Sequence, residues 1–354
     1  MRRTAALIVG GGPAGSAAAI TLARAGHRPL LVERSREPAD ALCGGFLSWR
    51  SVERLATLGI DPPGHRVTRL RIVAGRHRAE ADLPAPAIGI SRRWLDAALL
   101  DRAAVSGAGV ERGIHVREVA DGAVRLGNGA TLSAEALFLA VGKHDVRGAP
   151  RGRTGADPTL GLRVRAEATP GLSGVIELHL FRGGYAGIVL QEDGRANICL
   201  AIAKSRLTEA SGDPRRLLMR LAAESPAFAD RLQGSEGVPI DAIAGVPYGW
   251  RANAALPGCF RIGDQAAVIP SLAGEGMGIA LMSGMSAARA FDRDGVAAAP
   301  PWQRATARRV RAPMAVAGVI RHLGEGRLRT LAPALAAGVP GLVSLVARTT
   351  RVPD

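Results

Sequence analysis

The run Leu7-Ile8-Val9-Gly10-Gly11-Gly12-Pro13-Ala14-Gly15 constrains this chain more than any other stretch. It reads as a buried strand that turns through Gly-x-Gly-x-x-Gly straight into a helix, the opening of a βαβ unit in a doubly wound parallel sheet. Gly10 permits the tight turn, Gly12 lets the backbone approach a pyrophosphate, and Gly15 allows the helix to pack closely on the strand. The next residues, Ser16 to Ala25, predict a helix that offers unpaired N–H groups and a positive dipole end to phosphates. Gly26 predicts its stop. A second strand, Pro29-Leu30-Leu31-Val32, ends at Glu33-Arg34. An acid at that distance accepts hydrogen bonds from both ribose hydroxyls and repels a 2′-phosphate, so the expected dinucleotide is FAD or NAD rather than NADP.

A second glycine signature lies far downstream. Phe260-Arg261-Ile262-Gly263-Asp264-Gln265-Ala266-Ala267 is followed by Pro270-Ser271-Leu272-Ala273-Gly274-Glu275-Gly276-Met277. The first motif alone is weak, but both in this order and at this separation predict FAD.

The net charge of +15 comes almost wholly from arginine, with Lys143 and Lys204 the only lysines. That charge is spread along the chain, and aromatics make up 3%. Nucleic-acid binders concentrate charge and interleave aromatics, so no nucleic-acid partner is expected. Anionic ligands or membrane lipids suit the positive field better. Cys43, Cys199 and Cys259 are widely spaced and odd in number, which predicts neither a disulfide framework nor a metal site and suits a cytoplasmic location. The opening Met1-Arg2-Arg3 with its apolar run is explained as the first strand rather than a signal peptide. No uninterrupted apolar stretch is expected to span a membrane.

Between the two signatures the pattern changes. Ser48 is expected to cap a helix running to Gly59, residues 67–90 read as strands, and Ser91-Arg92-Arg93-Trp94-Leu95-Asp96 starts another helix. Val124–Leu126 and Thr131-Leu132 predict a small hairpin around Gly127-Asn128-Gly129, leading into a separate buried strand, Ala136–Val141. Stretches 160–168, 175–181, 185–190 and 196–203 read as successive antiparallel strands, with a helix from Asp213 to Glu224. The expected fold is α/β. A discontinuous Rossmann-like FAD-binding domain (1–66, 91–155 and 255–300) hosts an antiparallel β-sheet substrate domain (67–90 and 156–254). A C-terminal helical segment (301–354) completes it.

These motifs resemble the flavoprotein family of para-hydroxybenzoate hydroxylase, and within it the branch containing geranylgeranyl reductases. Four segments carry the likeness: Gly10–Gly15 with Glu33; Cys43-Gly44-Gly45; Arg92-x-x-Leu95-Asp96-x-x-Leu99; and Gly263-Asp264 through Gly276. The resemblance implies that Asp264 binds the ribityl chain and that Gly274, Gly276 and Met277 face the pyrimidine edge of the flavin. It also implies that Arg92 contacts the cofactor. Where the hydroxylases often carry Asp-Gly in mid-chain, this chain has Val141-Gly142, and the halogenases' Trp-x-Trp is absent. The reductases' Tyr-x-Trp-x-Phe-Pro pattern is unmatched too, its counterpart being Tyr185-Ala186-Gly187-Ile188-Val189.

Few side chains need be reactive, because the isoalloxazine carries the chemistry. Cys43 is a candidate proton donor or a packing residue. Tyr185 is a candidate to present its hydroxyl to substrate, and His144 and His179 are weaker acid–base candidates. Glu275 is expected to serve turn geometry, its backbone neighbours mattering more than its carboxylate. The expected activity is that of an FAD-dependent oxidoreductase acting on an apolar small molecule. The first expectation is an NAD(P)H- and oxygen-using monooxygenase. The alternatives are a saturase of isoprenoid C=C bonds and a redox-silent flavoprotein. From Arg308 onward, arginines alternate with apolar helical stretches, which suits either a cover for the flavin domain or peripheral contact with anionic lipid.

Overall fold

The computed structural model describes residues 2–120, 123–151, 157–254 and 256–354. The boundary expected at 155/156 lies outside them. Arg2–Val9 is the centre of a seven-stranded sheet, pairing in parallel with Leu30–Glu33 on one side and Thr131–Leu139 on the other. The helix Pro13–Arg24 packs beneath it through Ala17, Ala18, Ala19, Ile20 and Leu22, all fully buried. It begins at Pro13 rather than Ser16, because proline at the first helical position has the right φ and no N–H to leave unpaired.

Thr131–Leu139 is one strand, not a hairpin arm followed by a second strand. Its first half pairs antiparallel with Ala123–Leu126 and its second half pairs parallel with Cys259–Arg261. The polar interruption at Ser133 and Glu135 therefore marks a change of partner, not a break.

The helix Gly276–Asp294 crosses the first helix at close range. A Cβ on Gly284 would lie 2.2 Å from the carbonyl oxygen of Ala14, so only glycine allows this approach. The crossing sets the second glycine signature beside the first.

The other sheet has eight strands, in the order Asp241–Val246, Thr159–Ala166, Ala196–Ala203, Gly184–Leu190, Val175–Phe181, His65–Ala74, His77–Gly89 and Phe46–Leu47. It is antiparallel except where Val175–Phe181 runs parallel to His65–Ala74. Phe46–Leu47 and His65–Arg66, assigned by sequence to the first lobe, sit in this sheet. One face is covered by Pro214–Glu224, capped by the Asp213 carboxylate, with Leu217, Leu221 and Phe228 packed on Leu162, Ile188 and Leu200.

A buried ion cluster stitches this sheet to the short helix Pro226–Arg231. Glu177 accepts from both Nε and Nη2 of Arg231 at 2.8 Å, from Arg71, and from Nε2 of His179 at 2.9 Å. Burial opposes its charge, yet the His179 and Arg231 bonds hold the carboxyl well below its ordinary value. Its contribution to stability is thus full above the ordinary value of 4.5 and lost only as pH falls through the lower folded value. Glu177→Gln should cost about 3 kcal/mol, because it strands buried cations. Denaturant titration of the variant checks this.

Candidate active site

A single cavity of about 1020 Å³ runs between the two sheets, from Gly10 and Glu33 past Cys43 to Tyr185 and on to the C-terminal helices. Every cofactor-binding candidate except Gly15 lines it. Gly15 acts behind the wall: a Cβ there would sit 1.9 Å from the Gly10 carbonyl oxygen. At Gly12, a Cβ would meet the Arg92 guanidinium at 3.3 Å, and no side chain among the described residues caps the helix end. The first-turn N–H groups therefore face a space framed by a cation, the arrangement a pyrophosphate needs.

The acids divide into pre-set and free. Glu33 accepts from the N–H of Gly11 at 2.6 Å and of Ser35 at 2.9 Å, which fixes both oxygens while leaving lone pairs for a ribose. Asp264 lines the cavity with no hydrogen bond or ion pair from its carboxylate to the described residues. Its backbone is held instead, with Arg151 Nη1 donating to its carbonyl oxygen at 3.2 Å. Arg92 donates to Asp96 through Nε at 2.8 Å and Nη2 at 2.7 Å. Burial works against its charge, but Asp96, Cys43 and Asp264 lift its pKa above the usual value. Arg34 donates to Nε2 of His144 at 2.9 Å. Burial and then Arg34 lower the His144 pKa, so a neutral ring accepts that bond.

Glu275 serves the turn as expected, but through its carboxylate rather than its backbone neighbours. Its carboxylate is wholly buried and accepts from Ser48 Oγ at 3.2 Å, the Val352 N–H at 3.1 Å and Arg351 Nη1 at 2.8 Å. Arg54 Nη1 stands 3.8 Å away. Arg351 also donates to the Gly274 carbonyl oxygen at 3.1 Å and to that of Ala273. Burial raises the Glu275 pKa, and Arg351, Val352, Arg54 and Ser48 oppose that rise. The last residues of the chain thus latch the Gly274–Met277 turn. Ser48 stands at the N-cap position of Trp49–Thr57 as expected, but its hydroxyl makes no cap bond and serves this latch instead.

Tyr185 meets a partner that sequence reading missed. The hydroxyls of Tyr185 and Tyr248, the only tyrosines in the chain, each lie 2.7 Å from Ser271 Oγ. The Leu272 N–H donates to Tyr185 Oη at 3.1 Å. Burial raises both phenol pKa values, so this cluster keeps its protons. Cys43 lines the same cavity half-buried, near Cys199, whose thiol burial pushes up to about 12. His179 belongs to the Glu177 cluster and does not line the cavity.

A protein-family model described as FAD binding domain matches residues 3–122. Menaquinone reductase of Mycolicibacterium smegmatis is 30% identical over 83% of this chain and 78% of its own length. The chain belongs to the FAD-dependent oxidoreductase family of these reductases. Digeranylgeranylglycerophospholipid reductase 2 of Methanopyrus kandleri is 26% identical to this flavoprotein over 93% of it and 89% of its own length. Among solved structures, the flavin-dependent brominase Bmp2 shares its fold with a TM-score of 0.80 at 16% identity, covering 98% of this chain and 93% of that one. PqsL of P. aeruginosa does so with a TM-score of 0.74 at 18% identity, covering 96% and 100%. The uncapped helix end, the Asp264 carboxylate with no hydrogen bond or ion pair among the described residues, and the glycine-lined wall fit FAD, so the flavoprotein's cofactor and its oxidoreductase class stand together.

Proposed function

We propose that the flavoprotein saturates a C=C bond in the polyprenyl chain of a lipid, with NADH or NADPH as electron donor. The carrying observation is that the cavity does not end at the glycine signatures. It continues past Leu70, Ile72, Leu178 and Leu180 to Leu335 and Val346, giving a long apolar chain a path to the dinucleotide end. Two relatives matched along most of this chain are named reductases, of menaquinone and of a digeranylgeranylglycerophospholipid. That supports reduction over the oxygen-using hydroxylation first expected from sequence.

FAD, when bound and reduced, would supply a hydride, an electron pair with one hydrogen, to the first carbon of a C=C bond. The protein's residues supply the rest. The apolar walls exclude water and orient the chain. The second carbon of the bond needs a proton, and the Tyr185 hydroxyl holds one inside the cavity, backed by Ser271 and Tyr248. General acid catalysis of this kind is worth about 10²–10⁴-fold. Tyr185→Phe should therefore cut kcat about a hundredfold while FAD content stays unchanged. If Cys43→Ser instead causes the larger loss, the thiol is the donor. The reading itself is tested by incubating the enzyme with a polyprenyl quinone and reductant under argon. After any quinol is reoxidised in air, mass spectrometry should find two more hydrogens on the prenyl chain, and an unchanged prenyl chain would count against it.

A further inference from the structure

Among the described residues, seven of the eleven exposed large apolar side chains lie between Val319 and Leu345. Leu328 and Leu345 are each 60% exposed. Four of the seven, Leu323, Leu328, Leu331 and Leu335, also line the cavity, so the cavity reaches solvent through this apolar face. An apolar patch of this kind, concentrated at a cavity mouth, marks a docking surface.

Along this stretch of the chain the charge is nearly all positive. From Arg308 to Arg351 there are eight arginines and one acid, Glu325. Arg321 pairs with Glu325 and Arg351 with Glu275. Arg308, Arg311, Arg327 and Arg348 are exposed with no acidic partner among the described residues. The helical stretches Arg327–Gly338 and Leu342–Thr349 are together apolar enough for a membrane but meet at 110°. A pair bent that sharply suits lying in an interface rather than crossing it. No single described helix is long and apolar enough to cross.

We propose that the face formed by residues 319–349 docks on an anionic lipid bilayer, with the cavity mouth against the acyl region. A polyprenyl lipid would then slide to the flavin end without passing through water. A bilayer complements both features of the face, burying leucines while its headgroups meet the arginines. A second copy of this chain would not: it also carries a net charge of +15 and would bring like charges together while sealing the mouth. The entry route rests on the lipid-substrate reading, whereas the docking does not.

The test is flotation of the FAD-loaded full chain with vesicles of phosphatidylcholine, alone or mixed with phosphatidylglycerol. The protein should float with the anionic vesicles and remain below with the neutral ones. Val339→Glu/Leu345→Glu, neither residue lining the cavity, should reduce flotation at least tenfold. Flavin absorbance and thermal melting check that the variant is folded. The variant should lose turnover on substrate carried in vesicles and keep it on substrate in detergent micelles. Absence of flotation, or equal flotation of the double variant, overturns the proposal. So does light scattering that finds a native dimer and a monomeric variant, which would assign the face to a second copy. Flotation without turnover on any polyprenyl lipid would keep the docking and defeat the substrate reading.

Discussion

Arg351→Ala should leave a folded protein that holds FAD about a hundredfold more weakly. The substitution removes the nearer of two cations from the wholly buried Glu275 carboxylate, leaving Arg54 at 3.8 Å. Stranding a buried charge costs about 3–5 kcal/mol. The Gly274–Met277 turn can escape that cost by opening, and an opened turn must close again to bind. Each 1.4 kcal/mol is about tenfold in affinity, so most of the cost should emerge as weaker FAD binding in a fluorescence titration. Arg351→Lys should rescue little, since one ammonium cannot serve Glu275 and the carbonyls of Gly274 and Ala273 at once. Glu275→Gln combined with Arg351→Met should be less harmful than the sum of the single changes, the signature of a coupled pair. An unchanged dissociation constant in Arg351→Ala would reduce the latch to an anchor for the tail.

Asp264→Ala should separate cofactor binding from folding. Its carboxylate makes no hydrogen bond or ion pair to the described residues, so the cofactor-free protein should melt at the native temperature. Binding should suffer. Hydrogen bonds to a charged group are worth about 1.5–3 kcal/mol each, which predicts FAD held at least about tenfold more weakly. The FAD-dependent rise in melting temperature should shrink accordingly. Full FAD retention would remove Asp264 from the site. A large fall in the stability of the cofactor-free protein would mean the side chain has a structural role.

What was legible in the sequence was local or periodic. Gly10 to Gly15 and Gly263-Asp264 could be found because each is a short backbone device, and the fold brings both to one cavity. The strands from Leu160 to Ala203 announced themselves by uninterrupted apolar runs between glycine turns. The Glu275 latch gave no such signal. Its partners are Ser48, Arg54, Arg351 and Val352, and a cluster assembled across most of the chain has no period to detect. Tyr248 was hidden for a related reason: Pro247-Tyr248-Gly249 reads as an ordinary turn, and only the packed sheets bring its hydroxyl to Ser271. Thr131–Leu139 was split because sequence shows a change of polarity without showing that the neighbouring strand has changed.

The central claim is that one cavity holds FAD and an apolar lipid chain, and passes electrons between them. A single-turnover experiment under argon tests it most directly. The bound flavin is reduced, excess reductant is removed, and a polyprenyl quinone in micelles is mixed in while the flavin absorbance is followed. Return of the oxidised spectrum without oxygen, matched by lipid carrying two more hydrogens on its prenyl chain, is the predicted result. A flavin that stays reduced until oxygen is admitted, then yields an oxygenated product, would contradict the account.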